Sequence, residues 1–423
     1  MKNVFALFRV YLLFAPFCVY SFRVLSCIFT IRAFSCIIRI MKKIRIVLTG
    51  GGSGGHVYPL ISIWEELITQ SKQANLNIEF IYMGPKDKWS NMIAEKGISV
   101  SYILSGKIRR YFSFLNFLDF FKILFSILQT LIKMFFIMPD IVFSKGGPGA
   151  FPVVFAAWFY RIPVFIHESD AIPGLTNLLS ARFSRRIALG FEEAAQYFSS
   201  KKTAVVGNPI RREILLQKID KAEAKKILNF NSDFPLILVL GGSQGAQKIN
   251  EIILETLQKL LPITQILHQT GEANFLDVQK LSHTAILELP VEIEKKSRYE
   301  CVPFLDAQKL GIALSAADLV VSRAGAGSIF EISAFEKPSI IIPITESAND
   351  HQRANAYAYA KNGAAIVIEE ENLLPGIFTS QIKSILQDEN KYKQMSESSK
   401  KFSKNNAAEI IASEIIRIAL KLS

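Results

Sequence analysis

Cysteine is scarce in this chain, and its first forty residues contain no acidic residue. Of four cysteines, Cys18, Cys27 and Cys36 fall in that opening stretch and only Cys301 follows. A disulfide framework is thereby excluded, and the body reads as cytosolic. The five histidines, His56, His167, His268, His283 and His351, show no metal-ligand spacing with one another or with Cys301, so no protein-bound metal is expected. Long apolar runs are also missing from the opening stretch. Its longest uncharged run, Val10 to Phe22, has 13 residues, whereas a spanning helix needs about 17–25. No small-x-small cleavage site follows that run. Residues 1–40 are therefore expected to be an apolar, basic leader, read through from a start upstream of the true one at Met41.

What remains is ample for folding. The 423 residues favour two domains, and with half of them apolar and a fifth charged the chain can bury real cores. The net charge of +12 points to an anionic partner. Five of the cations, Lys2, Arg9, Arg23, Arg32 and Arg39, lie in the leader, which leaves +7 from Met41 onward. No RNA- or DNA-binding motif accompanies this charge, so nucleic acid is not the expected partner.

Ile44 to Thr49 is a short β-branched apolar run that stops at Gly50-Gly51-Gly52-Ser53-Gly54-Gly55, after which Tyr58 to Gln70 has helical spacing. The same strand, glycine loop and helix recur about 190 residues later. There Leu236 to Leu240 meets Gly241-Gly242-Ser243-Gln244-Gly245-Ala246, and a helix follows over Ile249 to Leu261. Further apolar runs alternate with helical patterns at 78–83, 141–144, 164–167, 319–323, 340–343 and 365–368. Strands without polar alternation imply parallel sheets covered on both faces. The expected fold is α/β, with two Rossmann-like domains over 41–206 and 207–400 and ligand at the carboxyl ends of the strands, in the central cleft. Residues 401–423 form a last helix that could pack on either domain.

Gly50 to Gly55 satisfies the G-x-G-x-x-G pattern in its required place, where free N–H groups at a helix start bind negative charge. A dinucleotide enzyme would also want an acid at the end of the second strand, yet that strand ends Tyr82-Met83-Gly84, with Asp87 only nearby. His56 sits at the helix start, where the dipole favours a neutral imidazole. It can serve as a general base, a substrate hydrogen-bonder or a cap. The run LVVSRAGAGSIFE, 319–331, makes another phosphate-ready helix start, with Glu331 in reach of a ribose diol or simply complementing the dipole. Downstream, Glu346, Asn349, Asp350, His351, Gln352 and Asn355 concentrate polar side chains of the kind a sugar site needs. Tyr111 to Met138 holds eight phenylalanines and one acid, flanked by cations. That composition fits a helix lying in an anionic membrane surface better than one buried in a core.

The motifs together resemble the MurG-type N-acetylglucosaminyltransferases of peptidoglycan synthesis, glycosyltransferase family 28. They are GGGSGGHVYP at 50–59, KGGPGAFP at 145–152, HESDAIPGLTN at 167–177, GNPIR at 207–211, GGSQGAQKIN at 241–250, HQTG at 268–271, SRAGAGSIFE at 322–331 and DHQRANA at 350–356. The resemblance covers nearly all of the body. It implies a GT-B fold and inverting transfer of GlcNAc from UDP-GlcNAc to the MurNAc 4-hydroxyl of undecaprenyl-pyrophosphoryl-MurNAc-pentapeptide, lipid I to lipid II. By motif, Ser53, Gly54 and Gly55 would contact the nucleotide sugar. Arg211 and Ser243 would reach the donor phosphates, and Leu305 the uracil. Ala326, Gly327, Ser328, Ile329, Phe330 and Glu331 would take the phosphates and ribose, and Gln352 and Asn355 the GlcNAc hydroxyls. Asp170 occupies a hydrogen-bonding position held by asparagine in many members, and His56 is the candidate base. The resemblance further implies no required cofactor, a stimulatory divalent cation, a peripheral place on the cytoplasmic face of the bacterial membrane and contacts with other cell-wall synthesis proteins. A UDP-GlcNAc 2-epimerase, another glycolipid glycosyltransferase and a non-catalytic membrane scaffold are the competing readings.

Overall fold

The computed structural model describes residues 43–106, 114–242, 245–287, 289, 298–345 and 350–421. The expectations for the leader, for residues 111–113, for Ser243 and for Glu346 and Asn349 lie outside these residues.

Each apolar run becomes a strand of a parallel sheet, all of them inner strands except the run at 365–368, which forms an edge. The first sheet contains β1 (Ile44–Thr49), β2 (Ile78–Gly84), β3 (Ser99–Tyr102), β4 (Ile141–Ser144), β5 (Val164–Glu168), β6 (Arg186–Leu189) and β7 (Thr203–Val205), in the order β3-β2-β1-β4-β5-β6-β7. The second contains β8 (Leu236–Leu240), β9 (Gln265–Gln269), β10 (Tyr299–Val302), β11 (Leu319–Ser322), β12 (Ser339–Ile341) and β13 (Ala365–Val367), in the order β10-β9-β8-β11-β12-β13. All described pairings are parallel; β1 and β4 run side by side, Thr49 opposite Ser144. This is the two-domain α/β fold expected from the sequence, and both order reversals, β1/β4 and β8/β11, place their strand ends where such sheets bind ligands.

Seven helices matter for the site and its surroundings: α1 (Gly54–Gln73), α2 (Phe114–Ile137), α3 (Ala150–Phe159), α4 (Ala326–Ala334), α5 (His351–Lys361), α6 (Glu389–Phe402) and α7 (Ala407–Ala419). The destination of α7, left open by the sequence, is the first domain. Its Ile411, Ala412, Ile415 and Ile418 share a core with Val57, Leu60 and Leu67 of α1. Gln70 clamps the contact, donating to Glu409 O at 3.1 Å and accepting from Ser413 Oγ at 3.0 Å.

The chain thus passes between the domains twice, at 206–209 and again at 402–407. The two passages touch: a Cβ on Gly207 would lie 2.6 Å from Lys404 Cβ, and Gly207 has φ +90°. Beside them Phe191 of the first domain packs edge-on against Phe330 of α4 and at a tilt against Phe402 of α6, with centroids 5.2 and 5.7 Å away.

In α2 the usual amphipathic arrangement is inverted. Buried Ser126, Thr130 and Met134 face the protein, and Phe121, Leu124, Phe125, Leu128, Ile132, Phe135 and Phe136 form an exposed stripe. Their offsets of 3, 4, 7, 11, 14 and 15 residues from Phe121 place all seven on one face. Ser126 Oγ–H bonds Leu104 O and Lys133 Nζ bonds Tyr102 O, so polar contacts hold the helix with its aromatic side outward. Trp158 and Phe159 at the end of α3 extend the patch.

Candidate active site

Two glycine-rich segments build the floor of the first domain's half. The loop after β1 and the loop after β4 meet backbone to backbone: a Cβ on Gly147 (φ +87°) would fall 2.4 Å from Gly51 O. No other residue fits there. The loop delivers α1 with an open N-terminus. Ser53 caps no backbone N–H. Its Oγ instead lies 2.8 Å from His56 Nδ1.

His56 is partly buried, and burial with nearby Lys145 lowers its pKa to about 4 against the opposing influence of Asp170. It is therefore neutral at pH 7, as expected of a base. When Nδ1–H donates to Ser53 Oγ, Nε2 is left as the proton acceptor. His351, at the start of α5 in the second domain, also acts electrostatically on His56, so the two helix starts converge across the cleft.

The second domain supplies α4, which begins after Gly325 with no side-chain cap. The N–H groups of Ala326, Gly327 and Ser328 are the ones this geometry leaves for an anion. Expectation and structure part at the next two residues. Ile329 N–H is already bonded to Gly325 O at 3.1 Å, and the Ile329 and Phe330 side chains are fully buried in the core. These two support the helix and present nothing to a ligand.

Glu331 and Arg211, assigned to ribose and phosphate, are found bonded to each other. Nε and Nη2 of Arg211 each lie 3.0 Å from Glu331 Oε1. Burial raises the Glu331 carboxyl pKa and the guanidinium opposes that rise. Arg211 also lies over the Tyr58 ring of α1, 4.8 Å from its centroid, so it joins both walls of the cleft.

Asn355 has a different task from the one expected. It is fully buried. Its Oδ1 accepts from Ala171 N–H at 2.8 Å, and its Nδ2 donates to Asp170 Oδ1 at 2.8 Å and to Ala324 O at 3.1 Å. Both amide protons are used, so in this closed arrangement Asn355 fastens the domains together and has no donor to offer a sugar. Asp170 is its partner. Gln352 stands nearer the open side, its Oε1 accepting from Ile344 N–H. Leu305 is buried, and its N–H is given to Gln269 Oε1. Gly241, Gly242 and Gly245 form the second glycine loop, the latter two at positive φ.

Glu168 went unnoticed in the sequence, although it orders the segment that carries Asp170. Its carboxylate accepts from Asp170 N–H, Gly174 N–H and Asn177 Nδ2. Lys145 and Ser169, buried beneath the same segment, were likewise passed over. The available signal was a charged residue at the end of a wholly buried strand, Glu168 closing β5 and Lys145 following β4.

Comparison with known proteins decides the family. The profile of the glycosyltransferase family 28 N-terminal domain matches residues 46–189, and that of the family 28 C-terminal domain matches 236–411. The chain belongs to glycosyltransferase family 28. A family 28 relative from Clostridium tetani, named UDP-N-acetylglucosamine--N-acetylmuramyl-(pentapeptide) pyrophosphoryl-undecaprenol N-acetylglucosamine transferase, is 37% identical over 374 residues, 88% of this chain and 98% of the relative. A Bacillus cereus protein of the same name, numbered 2, is 36% identical over 84% of this chain and 94% of its own. Among solved structures, MurG of Acinetobacter baumannii superposes with a TM-score of 0.68 at 23% identity, covering 88% of this chain and 99% of that one. A UDP-GlcNAc 2-epimerase from Neisseria meningitidis shares the fold at TM-score 0.61 and 14% identity, over 89% of this chain and all of that one.

Proposed function

We propose that this family 28 chain moves GlcNAc from UDP-GlcNAc to the MurNAc 4-hydroxyl of undecaprenyl-pyrophosphoryl-MurNAc-pentapeptide, with inversion, at the cytoplasmic face of the membrane. The observation that carries the reading is the pairing of a neutral His56 on one wall with Arg211 and the open start of α4 on the other. Inversion needs a base for the acceptor hydroxyl and, opposite it, positive potential for the departing diphosphate. His56 takes the proton. Arg211 and the N–H groups of Ala326 to Ser328 meet the growing charge on UDP, and a divalent ion in solution would screen it further. In the donor complex Glu331 turns to the ribose diol, releasing Arg211 to the phosphates. The names of the relatives support both the transferred sugar and the lipid-linked acceptor.

The full-length protein, incubated with UDP-GlcNAc and the lipid-linked MurNAc-pentapeptide in detergent, should release UDP only when the acceptor is present and should form the disaccharide. UDP released equally without acceptor, or epimerised sugar in place of disaccharide, would overturn the reading.

The outward aromatic stripe of α2 is the membrane-facing surface in this proposal. No helix among the described residues is long and apolar enough to cross a bilayer, which suits a helix that lies in the interface. Arg161, Arg182 and Arg185 line a cleft of about 330 Å³ beside Trp158 and add cations for anionic headgroups. Changing Phe125, Leu128 and Phe136 together to serine should cut co-sedimentation with anionic vesicles by about tenfold or more, since each side chain loses about 1.5–3 kcal/mol of apolar burial. Unchanged sedimentation would exclude α2 as the docking surface.

A further inference from the structure

Lys145 is the first residue after β4, and its stem lies against Gly50, whose added Cβ would fall 2.9 Å from Lys145 Cβ. Its side chain is almost wholly buried, 2% exposed, beneath the cleft. The ammonium donates to Ser169 Oγ at 2.5 Å, and Ser169 in turn donates to Asn208 Oδ1 at 2.6 Å. Asn208 sits in the passage between the domains, and on its other side Gly207 O is bonded to His167 Nε2 at 2.9 Å. The same ammonium is the cationic neighbour of Glu168 and Asp170. Through Glu168 it reaches the segment 170–177, and through Asp170 it reaches the bond to Asn355 in the second domain.

A buried carboxylate, Glu168, with the half-buried Asp170 beside it is costly unless a cation offsets the pair. We infer that Lys145 is a positioning residue for the transfer reaction: one buried cation holds the Asp170–Asn355 contact and the Asn208 passage in register and so fixes how the two halves of the site meet. Its effect runs through Ser169, Asp170 and Asn208. The inference rests on the transferase reading for its kinetic tests but not for its spectroscopic one.

The electrostatic consequences agree in sign. Glu168 already has its carboxyl pKa raised by burial and by Asp170, with Lys145 opposing; His56 has its pKa lowered by burial, by Lys145 and by His351, with Asp170 opposing. Buried His167 also feels Lys145 as a cation. Removing the cation moves Glu168 and His56 upward together, so the acid side of the activity profile must move to higher pH.

The test compares Lys145→Met, Lys145→Arg and Ser169→Ala with the wild type in full-length protein. Lys145→Met should lower kcat about tenfold or more while the UDP-GlcNAc KM changes by less than about threefold. Its acid limb should rise by about one pH unit, and Lys145→Arg should return the limb toward the wild-type position. Ser169→Ala keeps the charge but cuts the link to Asn208, and should lower kcat with the limb unmoved. If Lys145→Met fails to fold, Ser169→Ala and Lys145→Arg decide, and wild-type kcat in Ser169→Ala then overturns the inference. A folded Lys145→Met with wild-type kcat and pH profile also overturns it. Titration of the His56 imidazole by NMR needs no substrate: an upward move in Lys145→Met upholds the electrostatic role even if no transfer is found, and an unmoved titration overturns it even if transfer is intact.

Discussion

Replacing His56 by asparagine is expected to lower kcat by about 10²–10⁴-fold, the usual contribution of a positioned base, while the donor KM moves by less than about threefold. The asymmetry follows from position. His56 stands at the start of α1 and is paired with Ser53, whereas Arg211 and Glu331 are paired with each other. Its pKa of about 4 adds a second signature. An ordinary histidine base would lose activity as pH falls through about 6.5. Here the imidazole stays unprotonated to much lower pH, so the acid limb it governs in kcat/KM of the free enzyme should lie near 4. The measurement is a pH series of kcat/KM for wild type and His56→Asn. A wild-type limb at 6.5 would overturn the lowered pKa, and near-full activity in the variant would remove His56 from the role of base.

The second large effect concerns Arg211. Arg211→Met leaves the Glu331 carboxylate, only 14% exposed, without its cation. Breaking one side of a buried pair costs about 3–5 kcal/mol, and losing a charge-assisted contact to the donor, at about 1.5–3 kcal/mol, raises the UDP-GlcNAc KM by about tenfold to a hundredfold. The two losses separate in the double variant Arg211→Met/Glu331→Gln. With the stranded charge gone, stability should largely return, while donor affinity stays poor. Urea unfolding and UDP-GlcNAc titration of the wild type and the two variants provide the check. Full recovery of donor affinity in the double variant would mean that Arg211 serves only to neutralise Glu331.

Whatever depends on a local pattern was readable from the sequence. The strand, glycine loop and helix units at 44–70 and 236–261 are written in runs of apolar residues ended by glycine, and they fold as written. The aromatic excess of 111–138 showed that its helix could not be an ordinary surface helix, and the outward stripe from Phe121 to Phe136 explains the excess. Roles that depend on a partner far along the chain were not readable. Asn355 looks like a sugar ligand until Ala171 and Asp170 are found to occupy its amide. Ile329 and Phe330 share a motif with Ser328, but helical phase turns them into the core. Lys145 reads as one cation among many until Ser169 and Asn208 are brought beside it by β5 and the segment after β7. In each case the missing fact is a tertiary neighbour, which no spacing encodes.

The double passage between the domains constrains how the cleft can work. Two separate crossings would define an axis as long as the gap between them, but here Gly207 and Lys404 lie side by side, so the axis shrinks to a pivot. A pivot anchored by two strands of chain resists sliding, because any shear must stretch one strand against the other. It leaves rotation available. The cleft wall formed by α1 and α4 then acts as a lever whose short end is at 206–209 and 402–407, so a few degrees of backbone torsion there become ångströms of travel at the mouth.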